Sequence, residues 1–326
     1  MPRPTLNDRH VNGYLGNVLS VWIQDQKSYI AEDVFPTVPV DNKTDYIAQY
    51  TRADWLRDDA KERAPGTESA GGGLGVEEPV EYNCKVFSWH YDLDDQIAGN
   101  TSTPFNAQRD GTQIVGQKLL IRKERNFSTS FWGAGRGWND MAGAAQANAT
   151  HFVYLNTAGE DPLKTLSGLI NAQGEKTGFR PNVVVMGPDV WEEVKNHSLV
   201  LDRIKHTQKG IWTRALMAEA LEIDKFLVPG AVYNSAKRGG AENIQYIMKT
   251  GVLICYTPKE VSLTKPCSGL TLGWKGYQGA SPFGTRVKKF RMDAINSDRI
   301  EGDIAIAQKM VCGALGMYLA SPLATA

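Results

Sequence analysis

A metal site is the first chemistry that residue types and spacing suggest. His90, Asp92 and Asp94 alternate along a segment with a strand-like pattern, so they share one face if that segment is extended. Imidazole and carboxylate groups are ligands for hard or borderline metals. Short acidic side chains at a strand end serve more often as turn or cap residues. We therefore expect turn and cap roles here, and no metal.

A phosphate-binding loop is the second chemistry to consider. The segment GTQIVGQK at residues 111–118 is one insertion away from such a loop, because its lysine does not directly follow the second glycine. It also falls within a helical pattern and not at a strand-to-helix turn. The glycines at 71–75 lack a preceding buried strand and a following helix, which argues against a dinucleotide fingerprint. We expect no cofactor.

The cysteines and histidines form no catalytic set. Cys84, Cys255, Cys267 and Cys312 are scattered, without the spacing of a zinc site or a disulfide framework. Free cysteine is usually a small buried hydrophobic residue. The remaining histidines lie in separate segments, and no serine or cysteine has the context of a nucleophile elbow. We predict that the protein is not an enzyme.

Composition is typical of a globular protein without a bulk charge. The 326 residues include 36 basic and 36 acidic side chains, so summed charge cannot hold nucleic acid. No run of about eighteen uncharged apolar residues occurs, which predicts that no segment spans a membrane. The length is sufficient for two ordinary domains or one large domain.

Two extended segments come first in the chain. Pro36 and Pro39 exclude a helix from residues 34–40, and this segment is interpreted as an arm outside the core. Residues 45–93 predict a long β-hairpin with a glycine-rich tip that is costly to order. In its returning strand the apolar face switches at Val86 and Phe87. This indicates a bulge or two packing surfaces, and a strand buried on both faces fits the pattern equally well.

A long helix and an α/β unit follow. Thr103 and Pro104 form a helix start, and helical periodicity continues to about Asn126. Helices then alternate with strands. Asp161 and Pro162 predict the start of one helix, which is expected to end at Gly174, and the apolar run VVVM at 183–186 predicts a buried strand. From about residue 284 the pattern is mostly β.

The order of these parts resembles the major capsid proteins of tailed double-stranded DNA bacteriophages, which have the Hong Kong 97-type fold. The stretches that support the resemblance are IAEDVFPTVPV (30–40), RAPGTE (63–68), YDLDDQIAGNTSTP (91–104), TGFRPNVVVMGPDVWEEVKNHSLVLDRIK (177–205) and VPGAVYNSA (228–236). Each motif alone is weak. Their common order along nearly the whole chain is what makes the resemblance specific.

The resemblance implies an α+β fold in five parts. These are an N-arm (1–44), an E-loop hairpin (45–93), a peripheral domain (94–155) with a spine helix at about 104–126, an inserted α/β axial domain (156–280) and a return to the peripheral domain (281–326). The chain lacks the long acidic or Lys/Glu-rich helical leader of some relatives, so we expect a separate scaffolding protein or none.

The resemblance also implies a function and partners. The chain is expected to self-assemble into pentamers and hexamers of an icosahedral shell, which encloses phage double-stranded DNA without sequence-specific binding. Further expected partners are a portal protein and, where present, scaffolding and decoration proteins. The expected location is the virion, after assembly in the cytoplasm of the bacterial host.

The expected functional residues are contacts between subunits, at the hairpin tip and in the N-arm. They are Arg63, Pro65, Gly66, Glu68, Gly71, Gly72, Gly73, Phe35 and Pro36. The nearest alternative function is an encapsulin-like nanocompartment shell with the same fold. An α/β enzyme that uses residues 161–256 is a third hypothesis, which lacks a catalytic constellation.

Overall fold

The computed structural model of the protein describes residues 24–99, 106–204 and 212–324. The described helices are α1 (Ala31–Val34), α2 (Arg52–Trp55), α3 (Asp95–Gly99), α4 (Ala107–Phe131), α5 (Pro162–Thr177), α6 (Pro188–Lys195), α7 (Ser198–Ile204) and α8 (Arg214–Leu221). The described strands are β1 (Thr37–Val40), β2 (Thr44–Ile47), β3 (Val80–Asn83), β4 (Lys85–Asp94), β5 (Asn139–Ala144), β6 (His151–Val153), β7 (Val183–Met186), β8 (Lys225–Leu227), β9 (Val232–Asn234), β10 (Ile244–Tyr246), β11 (Val252–Cys255), β12 (Gly269–Trp274), β13 (Thr285–Met292), β14 (Ser297–Met310) and β15 (Gly316–Ala320). None of the described helices is long and apolar enough to cross a lipid bilayer.

The first sheet is built around the long strand β14. β4 pairs antiparallel along one edge of β14, while β13 and then β12 pair antiparallel along the opposite edge. β1 extends the sheet by pairing parallel to β12. Gly302 of β14 lies under α4, where an added Cβ would be 2.5 Å from Cγ1 of Val115. This glycine therefore allows the helix to lie close to the sheet.

The long helix α4 corresponds to the predicted spine helix, with different limits. Its N-cap is Asn106, whose side chain accepts a hydrogen bond from the N–H of Arg109. The start predicted at Thr103 and Pro104 lies outside the described residues. The helix ends at Phe131, beyond the end predicted near Asn126, because its last turn is stabilised by packing in the core.

The N-terminal segment is part of the core, which corrects the interpretation of residues 34–40 as an arm. Phe35 is fully buried, and its ring lies 4.8 Å from that of Phe131 and 5.9 Å from that of Phe127. The expectation that Phe35 contacts a neighbouring subunit is therefore wrong, since its side chain is used within its own chain. Pro36 is partly exposed and lines an open pocket with Asn182 and Lys225.

The second sheet has six strands in the order β6-β5-β15-β11-β7-β8. Its central strands β7 and β11 are fully buried, as the apolar run VVVM predicts. The sheet includes β5 and β6 from before residue 156 and β15 from after residue 281. The limits of this sheet therefore do not coincide with the expected domain boundaries.

Helix α5 covers this second sheet and shows how local sequence sets helix limits. The Asp161 side chain accepts the N–H of Leu163, and Pro162 occupies the first turn. The helix continues past Gly174, which corrects its expected end. It stops at Gly178, whose φ of 74° is the left-handed conformation that favours glycine.

We expect a Leu166→Asp substitution in α5 to abolish soluble expression. Leu166 is fully buried in the core between α5 and the second sheet, and an unpaired buried carboxylate costs several kcal/mol, against a total stability of about 5–15 kcal/mol. The control is Lys164→Asp, at an exposed position of the same helix, which should express normally. A soluble, cooperatively melting Leu166→Asp protein would contradict this core assignment.

Candidate functional site

The predicted hairpin starts from a short two-stranded ladder. β2 and β3 pair from Thr44 opposite Asn83 to Ile47 opposite Val80, and one further bridge joins Tyr50 to Val76. Beyond the bridge the described chain contains only the single-turn helix α2 and no strand. Every tip residue expected to contact a neighbour is exposed, namely Arg63, Pro65, Gly66, Glu68, Gly71, Gly72 and Gly73. A two-stranded ladder of this size is marginal by itself in water.

The returning strand divides between two sheets, which explains the switch in its apolar face. β3 ends at Asn83 and pairs only with β2, whereas β4 begins at Lys85 and joins the body sheet through β14. Cys84, between them, is fully buried. The interpretation with two packing surfaces is therefore confirmed, and burial on both faces is wrong because Val86 is 36% exposed.

Apolar side chains cluster on the exposed part of the hairpin. We call Tyr46, Tyr50, Trp55, Leu56 and Val76 the hairpin apolar set; each has 55–63% of its surface exposed. The rings of Tyr50 and Trp55 stack with their centroids 5.8 Å apart. Several exposed apolar side chains on one segment, two of them stacked, are typical of an interaction site.

Hydrogen bonds organise the hairpin just beyond its ladder and at its tip. Next to the Tyr50–Val76 bridge, Asp54 accepts the N–H of Gly75 at 3.0 Å, and the N–H of Thr51 donates to the Gly75 carbonyl at 2.9 Å. At the tip, Nε of Arg63 donates to the Thr67 carbonyl at 2.6 Å. The apolar set is thus presented on a segment with defined local turns.

The N-terminal segment is joined to α4 by a buried carboxylate, Glu124. Its two oxygens accept the N–H groups of Ile30 at 3.1 Å and Ala31 at 3.0 Å, and only 1% of the residue is exposed. Burial raises the pKa of Glu124 to about 7, against the lowering effect of the two backbone N–H donors. Beside it, Lys123 forms an ion pair with Glu32. The sequence analysis did not predict this contact, although a glutamate next to apolar helix positions could have indicated it.

The residues considered for a metal site have other partners. Both oxygens of Asp92 accept hydrogen bonds from Arg299, at 2.7 and 2.8 Å, and this bonding lowers the pKa of Asp92. Asp94 accepts the N–H of Gln96 at 2.7 Å, which confirms the expected cap role. Among the described residues, no group of three or more His, Cys, Asp or Glu could hold a metal ion.

The glycine-rich helical segment and the cysteines also have packing roles. The GTQIVGQK segment lies inside α4, and Gly111 packs closely against the ring of Tyr91, so it forms no phosphate-binding turn. Burial raises the pKa of Cys84 and of Cys267 to about 11, which keeps both thiols protonated at neutral pH. These residues serve packing within the chain.

Solved structures identify the class to which this fold belongs. A phage-related protein from Bordetella bronchiseptica is similar with a TM-score of 0.69 and 14% identity, over 93% of this chain and 95% of that one. The capsid protein of cyanophage P-SCSP1u is similar with a TM-score of 0.61 and 12% identity, over 95% and 92%. An encapsulin from Synechococcus elongatus has a TM-score of 0.53 and 10% identity, over 100% and 99%. The chain therefore has the Hong Kong 97-type capsid fold, and the α+β expectation is confirmed.

A sequence relative points to the phage members of this class. The major capsid protein of Burkholderia phage BcepMu is 23% identical to this chain over 201 residues, which are 60% of this chain and 62% of the relative. The match thus spans less than two thirds of that relative. No protein-family model matches the chain. The expected resemblance to major capsid proteins of tailed phages is confirmed.

We expect the Glu124 carboxyl to make stability depend on pH. Its pKa rises from an ordinary value of 4.5 to about 7 on folding, so the folded state holds the proton more tightly than the unfolded state. The stability that this proton binding contributes is present below pH 4.5 and is lost as the pH rises through about 7. Relative to Glu124→Gln, the unmodified chain should therefore lose on the order of 1–3 kcal/mol between these values.

Urea unfolding of both proteins at several pH values measures this difference. The control is Glu175→Gln, at an exposed position of α5, which should show no such divergence from the unmodified chain. A constant difference between the unmodified chain and Glu124→Gln across the range would show that Glu124 does not titrate there.

Proposed function

We propose that this chain is a major capsid protein of a tailed phage, which assembles into pentamers and hexamers of an icosahedral shell around double-stranded DNA. The observation that supports this function best is the exposure of the hairpin apolar set, on a ladder that is marginal by itself in water. Burial of each such side chain against a neighbour stabilises by roughly 1.5–3 kcal/mol. A shell subunit gains that burial from adjacent copies.

The hairpin tip extends the chain toward a neighbouring subunit and contributes little apolar area. Its three consecutive glycines, Gly71, Gly72 and Gly73, have open space around them, with nothing within 4 Å of an added Cβ. Together with Arg63, Glu68 and Pro36, they form the proposed contacts between subunits. Ordering this glycine segment costs backbone entropy, which contacts with a partner surface would offset.

The role is structural, and we assign no catalytic residue. A portal protein is a further proposed partner, as are scaffolding and decoration proteins where the phage encodes them. We place the protein in the virion shell, after assembly in the cytoplasm of the bacterial host.

Deletion of residues 66–75 tests the role of the hairpin. We expect the variant to fold, because every residue from 66 to 74 is exposed and the body cores lie elsewhere, but to form no particles. Circular dichroism with thermal melting measures folding, and negative-stain electron microscopy measures assembly. Replacement of residues 66–75 by a glycine-serine segment of equal length keeps the length of the tip but removes its side chains. It therefore shows whether assembly needs the length or the side chains. Normal particles from the deletion would sink the hairpin contact.

A paired substitution tests the apolar set directly. Tyr50→Ser combined with Trp55→Ser should reduce particle yield at least tenfold while leaving the melting temperature of the subunit nearly unchanged, since both side chains are more than 60% exposed. The control is Ile244→Ser combined with Tyr246→Ser, another exposed apolar pair on β10, which should assemble better than the hairpin variant. Equal yields from the two variants would remove the special role of the hairpin set.

The encapsulin alternative shares the fold and therefore the shell. It differs in what the shell encloses, and the neighbouring genes distinguish the two. Terminase and portal genes beside this gene are the expected result, whereas a ferritin-like or peroxidase gene would replace the phage assignment with an encapsulin.

A further inference from the structure

We propose that a basic stripe on α4, formed by Lys118, Arg122 and Arg125, binds the phosphodiester backbone of double-stranded DNA. The inference rests on the proposed function, because it assumes that such DNA lies against the shell. It assigns a specific surface of the chain to that contact.

The three side chains share one face of the helix. At 3.6 residues per turn, positions 118, 122 and 125 fall within a sector of roughly 60°, and they span about 10 Å along the axis. All three are exposed. The next residue in this sector is Thr129, whose hydroxyl donates to the Arg125 carbonyl at 2.9 Å. The stripe is therefore a continuous polar surface.

The acidic side chains of α4 have partners other than the stripe. α4 contains five basic and two acidic residues. Of the acidic pair, Asp110 lies beside Arg109, and Glu124 is buried against the N-terminal segment. No ion pair between described residues involves a side chain of the stripe. Three positive charges are thus left to attract an anion from outside the chain.

Aromatic rings hold the two guanidinium groups in place. Arg122 lies over the ring of Phe87, and Arg125 lies over the ring of Tyr233, each 4.5 Å from the ring centroid. The Tyr233 hydroxyl in turn accepts a hydrogen bond from Gln245 at 2.8 Å. A stacked guanidinium keeps its N–H edge free for phosphate oxygens and loses little further entropy when it binds them.

The chemistry of the stripe favours nucleic acid over a protein partner. Protein interfaces have an apolar or aromatic centre, whereas contacts to the DNA backbone need only cations and polar donors. No large apolar side chain of α4 is among the exposed ones. The chain has zero formal net charge, so three local cations give weak, salt-sensitive binding and not condensation of the genome.

The salt dependence of DNA binding tests the stripe. Fluorescence anisotropy of a labelled duplex of roughly 30 base pairs, titrated with the full-length unassembled chain between about 50 and 200 mM salt, gives the slope of log K against log salt. In the triple variant that combines Lys118→Gln, Arg122→Gln and Arg125→Gln, the magnitude of that slope should fall by about 2.7, because each lost phosphate contact removes about 0.9. Affinity at the lowest salt should fall at least tenfold.

A charge-matched variant is the control. This second triple variant removes three exposed positive charges from α5 and α8 and should leave the slope nearly unchanged; it combines Lys164→Gln, Lys176→Gln and Arg214→Gln. Equal losses in the two triple variants, or no duplex binding by the unmodified chain, would overturn the proposal. So would competition by polyglutamate as strong as that by duplex DNA, which would favour an acidic protein partner.

Folding and assembly are measured separately. If the triple variant misfolds, Lys118→Gln alone should still lower the slope by about 0.9, since Lys118 stacks on no ring within the described part of the chain. Particles of the triple variant should look normal in the electron microscope. Failure of the unmodified chain to form particles would contradict the proposed function, while the salt slope would still decide the fate of the stripe.

Discussion

The hydrogen-bond ladder of β14 is the constraint on which the rest of the structure depends. Its fourteen residues pair with β4 along one edge and with β13 and β12 along the other, so one strand joins segments from residue 85 to residue 310. The ladder tolerates a buried carboxylate, Asp303, because Arg286 donates to it at 2.5 and 2.9 Å and stacks over Tyr277. It also supports α4, which Gly302 allows to lie close to the sheet. The position of this helix therefore depends on the sheet that β14 holds together.

From that base, the molecule divides its apolar residues between two uses. Three phenylalanines pack on one another inside the chain and join the N-terminal segment to the helix, namely Phe35, Phe127 and Phe131. Tyr50 and Trp55, on the hairpin, are left exposed although they stack on each other. The two-stranded ladder of the hairpin adjoins the first sheet at Cys84. Among the described strands, none continues the ladder at its far end. These uncovered residues are the physical basis on which we propose that the chain is a shell subunit.

Much of this organisation could be predicted from local patterns. The apolar run of β7, the proline start of α5 and the glycine-rich hairpin tip each depend on residues within one element, and each is present in the structure. The failed interpretation of the N-terminal segment depended on distant partners. Phe35 lies next to two prolines in an extended segment, and nothing local shows that β1 pairs parallel with β12, more than two hundred residues away. The role of Glu124 required the position of Ile30, which only folding brings near it.

The sequence by itself determined the kinds and order of the elements, the absence of bulk charge and a hairpin without a core of its own. These properties follow from composition and from periodicity over a few residues, which local physics controls. Only the tertiary structure decided which extended segments are core, where α4 ends, and that Lys118, Arg122 and Arg125 form an unpaired basic face among the described residues. Those outcomes depend on pairing and burial between segments far apart in the chain, and a sequence pattern contains no distance in space. The same reason explains why Phe35 is buried and the hairpin tip is exposed, although the helical pattern is equally poor in both segments.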